Sequence, residues 1–135
     1  MTCIKEARLR AWHAGLHVFM KGHGMDHKAE LAAIKDRSRA LIKAVNAPMK
    51  GFGGLTAAVK EPGALSTKEK EFVAIGIAVV QGCDDCVTYH IDVLQKLGCT
   101  RDEFAEVLGM CLQMGGGPVV MNAGRALEVW DALAA

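Results

Sequence analysis

The sequence predicts an all-α fold, and three features carry that reading. Apolar residues recur every three to four positions in segment after segment, the period of a helix with one buried face. Two Ser/Thr-x-x-Glu patterns, Ser66 to Glu69 and Thr100 to Glu103, read as capping boxes that open helices. Among the 51% of residues that are hydrophobic, Ala, Leu, Val and Met dominate and aromatics amount to 5% of the chain. No stretch alternates apolar and polar residues as a half-exposed strand would. With 135 residues the chain is expected to form a single domain, 1–135, long enough for a core of its own.

In chain order, residues 3–20 place Ile4, Ala7, Ala11, Trp12, Gly15 and Phe19 on one helical face, with Lys5, Glu6, Arg8 and Arg10 mostly opposite. Gly22-His23-Gly24 breaks this helix. A second helix is expected over 27–45, with Leu31, Ile34, Leu41 and Val45 on its apolar stripe, ending at Asn46-Ala47-Pro48. Pro48 suits the first turn of a third helix, with Phe52, Leu55 and Val59 expected to face inward. Gly51, Gly53 and Gly54 weaken that helix, so a short or deformable element is expected. Glu61-Pro62-Gly63 is a turn. Helices over about 67–81 and 83–97 follow, separated by Gly82 and closed by Gly98. The capping box at Thr100 begins a helix over about 101–114. The glycine run 115–117 breaks it as a tight turn, and Pro118 starts a last helix to about Leu133. Six to seven helices are expected in all.

The chemistry gathers between Glu71 and His90. Phe72 to Val80 is an unbroken apolar run, far short of the roughly 20 residues needed to span a bilayer, and it reads as a helix buried on nearly all sides. Gln81-Gly82 ends it, which puts Cys83 at the first turn of the next helix. Free backbone N–H groups and the positive dipole end favour a thiolate there. Mid-helix Cβ atoms three residues apart stand about 5–6 Å from each other, whereas a disulfide needs roughly 3.5–4.5 Å. The looser first turn closes that gap, so Cys83 and Cys86 form a workable redox pair. His90, four residues after Cys86 and seven after Cys83, shares their helical face. It can reach Cys86 as a base or proton relay, and Glu71 could accept a hydrogen bond from His90 and tune it. Glu71 would otherwise be a solvated helix-edge residue, like its neighbours Lys68, Glu69 and Lys70. Asp84 and Asp85, beside the thiols, are expected to disfavour thiolate formation. Tyr89 lies about 100° round the helix from His90 and is expected at most to line the pocket.

Glu71, eleven residues, Cys83, two residues, Cys86, three residues, His90 resembles the signature of the carboxymuconolactone decarboxylase and alkyl hydroperoxidase D (AhpD) family. The lead-in Gly63-Ala64-Leu65-Ser66-Thr67-Lys68-Glu69-Lys70-Glu71, the exit Leu97-Gly98 with Thr100-Arg101-Asp102-Glu103, and Gly115-Gly116-Gly117-Pro118 before a helix are similar too. The likeness spans about residues 45–130. It implies an AhpD-like helical oligomer whose cysteines cycle between dithiol and disulfide, with Cys86 the residue activated through His90 and Glu71. Asp85 stands where AhpD has a histidine. On this reading the substrate is a small hydroperoxide, the reductant a dithiol or redox protein, and no cofactor or metal is expected.

The remaining features narrow the field. A net charge of +1 gives no reason to expect nucleic acid or an anionic membrane as partner. The N-terminus, Met1-Thr2-Cys3-Ile4-Lys5-Glu6, carries no apolar signal core, so a cytoplasmic protein is expected. Five cysteines, an odd number, argue against a purely structural disulfide set. Cys111 is expected in the core, Cys99 at the surface after a helix cap, and Cys3 near a flexible end, none with a role. The pairs His13/His17 and His23/His27 have the spacing of metal chelates but no third ligand in sequence, and are read as surface histidines. The long apolar helix at 72–80 and the Met-rich segment 110–121 exceed what so short a chain can cover. A homotrimer or homohexamer is therefore expected. Two rival functions remain: a lactone-decarboxylase-like lyase using Glu71 and His90 as acid and base, and a non-enzymatic module held by zinc on Cys83, Cys86 and His90.

Overall fold

Six helices and no strand make up the described part of the protein, residues 26–135 of a computed structural model. They are α1 His27–Ala44, α2 Asn46–Lys60, α3 Thr67–Gln81, α4 Asp84–Lys96, α5 Arg101–Gly115 and α6 Val119–Ala134. The helix expected over 3–20, together with Cys3, His13, His17 and His23, lies outside the described residues.

The helix ends follow local chemistry. Asp26 caps α1 by accepting from the backbone N–H groups of Lys28 and Ala29. Both capping boxes form: Ser66 with Glu69 at α3, and Thr100 with Glu103 at α5. Gly82 closes α3 in the left-handed conformation, φ 68°, which a residue with a Cβ adopts only at a cost. At the α5–α6 turn a side chain on Gly115 would collide with Val119, so only glycine lets these helices meet so closely.

The core lies among α3, α4, α5 and α6. Ile75 and Val79 from α3 meet Ile91 and Leu94 from α4, Phe104 from α5 and Val129 and Trp130 from α6. Phe104 has no exposed surface and stacks on Trp130 with ring centroids 4.6 Å apart. Helix α1 crosses α4 and α6. It is pinned to α4 by Lys35 and Asp92, 3.0 Å apart.

Helix α2 behaves differently. It packs mainly on α1 and buries none of its own residues. Phe52, Leu55 and Val59, expected to face inward, are exposed (62%, 60% and 54%). Of the α1 stripe, Ile34 is buried and Leu31 half-buried, while Leu41 and Val45 are exposed. Helix α3 is buried on one side only, since Val73, Ile77 and Val80 are exposed. The reason is shared. Periodicity identifies an apolar face, but α2 does not fold back over α3, and no described element covers either face. The three glycines do not shorten α2, which runs unbroken for 15 residues.

Two further expectations are corrected. Cys99 is buried, because Gly98 at φ 72° turns the chain back and Cys99 N–H bonds the Leu94 carbonyl at 3.0 Å. That burial pushes its thiol above the usual range. His27 is not a surface histidine: it is buried, with Nδ1 3.2 Å from Glu30 and Nε2 3.9 Å from Glu128.

Truncating Phe104 to Ala should cost about 3–5 kcal/mol, read from urea unfolding. A second expectation concerns the α5 cap. The Lys68 ammonium and then the Thr100 backbone N–H hold the Glu103 carboxyl down at about 2, against an ordinary 4.5. A depressed carboxyl stabilises the fold above its unfolded value and loses that contribution as pH falls. A Glu103→Gln variant should therefore melt below wild type near neutral pH, with the gap closing as pH falls from about 4.5 to about 2.

Candidate active site

Two helices, α3 and α4, deliver the four residues of the site. Helix α3 opens with its capping box and one turn later buries Glu71, leaving 1% of the residue exposed. Gly82 reverses the chain, so that Cys83 becomes the N-cap of α4 and Cys86 sits in its first turn. His90 follows one turn further on. Its Nδ1 lies 2.6 Å from Glu71 Oε2, an N–H donating to a carboxylate. This contact locks the ring and leaves Nε2 without a partner among the described residues.

Cys83 and Cys86 are joined by a disulfide, with S–S 2.07 Å and Cα atoms 5.3 Å apart. Cys86 is exposed and Cys83 half-buried. Cys83 forms no side-chain cap, so the first N–H groups of α4 face the sulfurs' end of the helix without a side-chain acceptor.

Beside the disulfide lies a cavity of about 720 Å³ between α1, α2 and α4. Cys86, Tyr89 and His90 line one wall, and Leu41, Phe52, Leu55 and Val59 form the apolar wall opposite. Tyr89 thus takes the lining position expected of it, its ring edge-on to His90 at 5.3 Å. The apolar faces of α1 and α2 that miss the core are the faces that wall this cavity.

All four sequence-derived site residues, Glu71, Cys83, Cys86 and His90, come together. Three residues that the sequence did not single out join them. Lys60, the last residue of α2, places Nζ 2.5 Å from Glu71 Oε1, an ion pair rather than an aligned hydrogen bond. Arg37 reaches Asp85 at 2.7 Å, and Arg125 reaches Asp84 at 3.0 Å. The two acids beside the thiols are therefore each answered by a guanidinium, which offsets the repulsion expected of them. Among the described residues no three His, Cys, Asp or Glu side chains converge as a metal-holding group. Nor is any helix among them long and apolar enough to cross a membrane.

Residues 46–129 match the model of the carboxymuconolactone decarboxylase family. An uncharacterised protein of Cupriavidus necator is 41% identical over 108 residues, which cover 80% of this chain and 96% of that one. A carboxymuconolactone decarboxylase family protein from Legionella pneumophila has a similar structure, with a TM-score of 0.73 at 38% identity, covering 78% of this chain and 98% of the other. Another from Thermotoga maritima, for which involvement in the antioxidative response has been suggested, gives a TM-score of 0.68 at 30% identity, covering 76% and 90%.

If Glu71 and His90 support the thiolate, Glu71→Gln and His90→Gln should each move thiol ionisation to higher pH. Thiolate absorbance against pH, on the reduced protein, checks this.

Proposed function

Because the chain belongs to the carboxymuconolactone decarboxylase family, we propose from its site that it is a thiol-dependent disulfide oxidoreductase that reduces hydroperoxides. The observation that carries the reading is the Cys83–Cys86 bond at the head of α4, with Cys86 on the cavity wall beside His90. A cysteine pair that is bonded, reachable and backed by an imidazole–carboxylate pair has what reversible thiol chemistry requires.

In the reduced protein His90 takes the Cys86 proton. The Cys86 thiolate attacks the outer oxygen of R–O–O–H, the O–O bond breaks, and the leaving alkoxide collects a proton as alcohol, or as water where R is hydrogen. Cys86 is then a sulfenic acid. The Cys83 thiol displaces its hydroxyl as water and the disulfide closes. An external dithiol, small or carried on a redox protein, exchanges with that bond and returns both thiols at its own oxidation. The greater exposure of Cys86 supports its role as the attacking residue and Cys83 as the resolving one. The cytoplasm, where thiols are kept reduced, suits such a cycle.

Assembly belongs to the same proposal. Val73, Ile77 and Val80 on α3, with Met110 and Met114 on α5, form an exposed apolar surface of the kind that copies of a chain bury against each other. A homotrimer or homohexamer is the form proposed, and light scattering that finds a monomer at micromolar concentration overturns it.

A lyase reading draws on a different observation. Glu71 and His90 form their pair without either sulfur, so acid–base chemistry on a small carboxylated lactone needs no thiol.

Hydroperoxide consumption driven by dithiothreitol tests the redox reading. Cys86→Ser and Cys83→Ser should each cut turnover at least about a hundredfold. If both retain wild-type turnover, the thiol chemistry is wrong. Lactone decarboxylation that survives loss of both thiols would support the lyase in its place.

A further inference from the structure

Lys60 is an unexpected member of the site. It belongs to α2, the helix that buries nothing, yet its ammonium meets the most deeply buried carboxylate of the site at 2.5 Å. Its seat is built. The Thr67 hydroxyl donates to the Lys60 carbonyl at 3.2 Å, and the Lys70 ammonium donates to the Glu61 carbonyl at 2.5 Å. Two side chains from the first turn of α3 thus hold the end of α2 against the helix that carries Glu71.

Consider Glu71 without that ammonium. A carboxylate with 1% exposure and a single imidazole partner avoids an uncompensated buried charge in one of two ways. It takes up a proton, or it keeps the imidazole protonated. Either way a proton rests on the Glu71–His90 pair, and His90 is no longer free to receive one. A second cation removes that demand, because the ammonium answers the carboxylate and the imidazole can stay neutral.

We propose that Lys60 is a positioning residue for the thiol chemistry: its ammonium holds Glu71 as a carboxylate and leaves His90 an unprotonated base facing Cys86. The role rests on the redox reading above. The other charged and titratable groups around His90 do not supply the same charge. From α1, Arg37 lines the cavity but is spent on Asp85 at 2.7 Å. From α4 itself come Asp85, Tyr89 and Cys86, and from α3 Glu71. Among the described residues, Lys60 is the cation that touches the pair. Because it arrives on α2, whose Phe52, Leu55 and Val59 wall the cavity, the seating of that helix and the proton state of the base are linked.

The test is a ring-nitrogen NMR titration of histidine-labelled protein in its disulfide form, with the His90 signals identified by their loss in His90→Gln. With the two side chains 2.6 Å apart, the midpoint is read as the proton affinity of the Glu71–His90 pair and not of one residue. Lys60→Met should raise it by about one pH unit, a tenfold change in proton affinity. Lys60→Arg, which keeps the charge, should stay within a few tenths of wild type. The rising limb of the hydroperoxide turnover profile should move with it. A folded Lys60→Met protein with an unchanged midpoint overturns the proposal, as does Lys60→Arg shifting as far as Lys60→Met. Should the Met variant aggregate, Lys60→Gln gives the same decision. The titration needs no turnover, so a failure of the thiol reading in the cysteine variants is separable from a failure here.

Discussion

A carboxylate sealed from water sets the terms for the rest of this molecule. Stripping one ion of its hydration costs several kcal/mol even after relaxation, and Glu71 recovers that only by engaging both oxygens. One takes the imidazole of His90 and the other the ammonium of Lys60. Meeting those two demands fixes the relative placement of three helices. The start of α3 must sit where the end of α2 can reach it, and α4 must present its second turn to the same spot. The capping box at Ser66, the left-handed Gly82 and the Thr67 contact to the Lys60 carbonyl are the local devices that achieve this.

The sulfurs inherit their setting from the same geometry. Once Gly82 has turned the chain, Cys83 becomes the N-cap of α4 and Cys86 falls in its first turn, next to N–H donors that no side chain caps. The acids that follow Cys83 look unfavourable in isolation. In the fold they serve as anchors, since Asp84 takes Arg125 from α6 and Asp85 takes Arg37 from α1. The bonded cysteines are therefore held from both sides by elements far away in sequence, although such exposed ion pairs add little stability individually.

Much of this is legible in the sequence. Both capping boxes, the breaks at Gly82 and Gly98, and the bounds of α3 to α6 follow from residues that act on their own neighbours, and these emerged within a residue or two. The Cys83, Cys86 and His90 spacing is likewise local, so their shared face could be read directly. What escaped was most of what is decided across the fold. Phe52, Leu55 and Val59 announce an apolar face but not what lies opposite, and the answer is a cavity. Lys60 resembles any lysine ending a helix, because nothing nearby in sequence marks the buried acid eleven positions on as its partner. Cys99 and His27 were misplaced for the same reason: a cap residue or a lone histidine says nothing of which helix will close over it. The likeness to a known family brought Glu71 into view, where its charged neighbours would have hidden it.

The outlying position of α2 carries one last implication. Among the described residues this segment contributes nothing to the packed interior, yet it forms one side of the chamber and hands over a charge, so its exposed apolar side chains can be replaced at little cost to the scaffold. Changes at Phe52, Leu55 or Val59 would reshape the chamber wall while the bundle beneath stays as it is. The shape of the chamber and the endurance of the scaffold are in this way assigned to different stretches of one short chain.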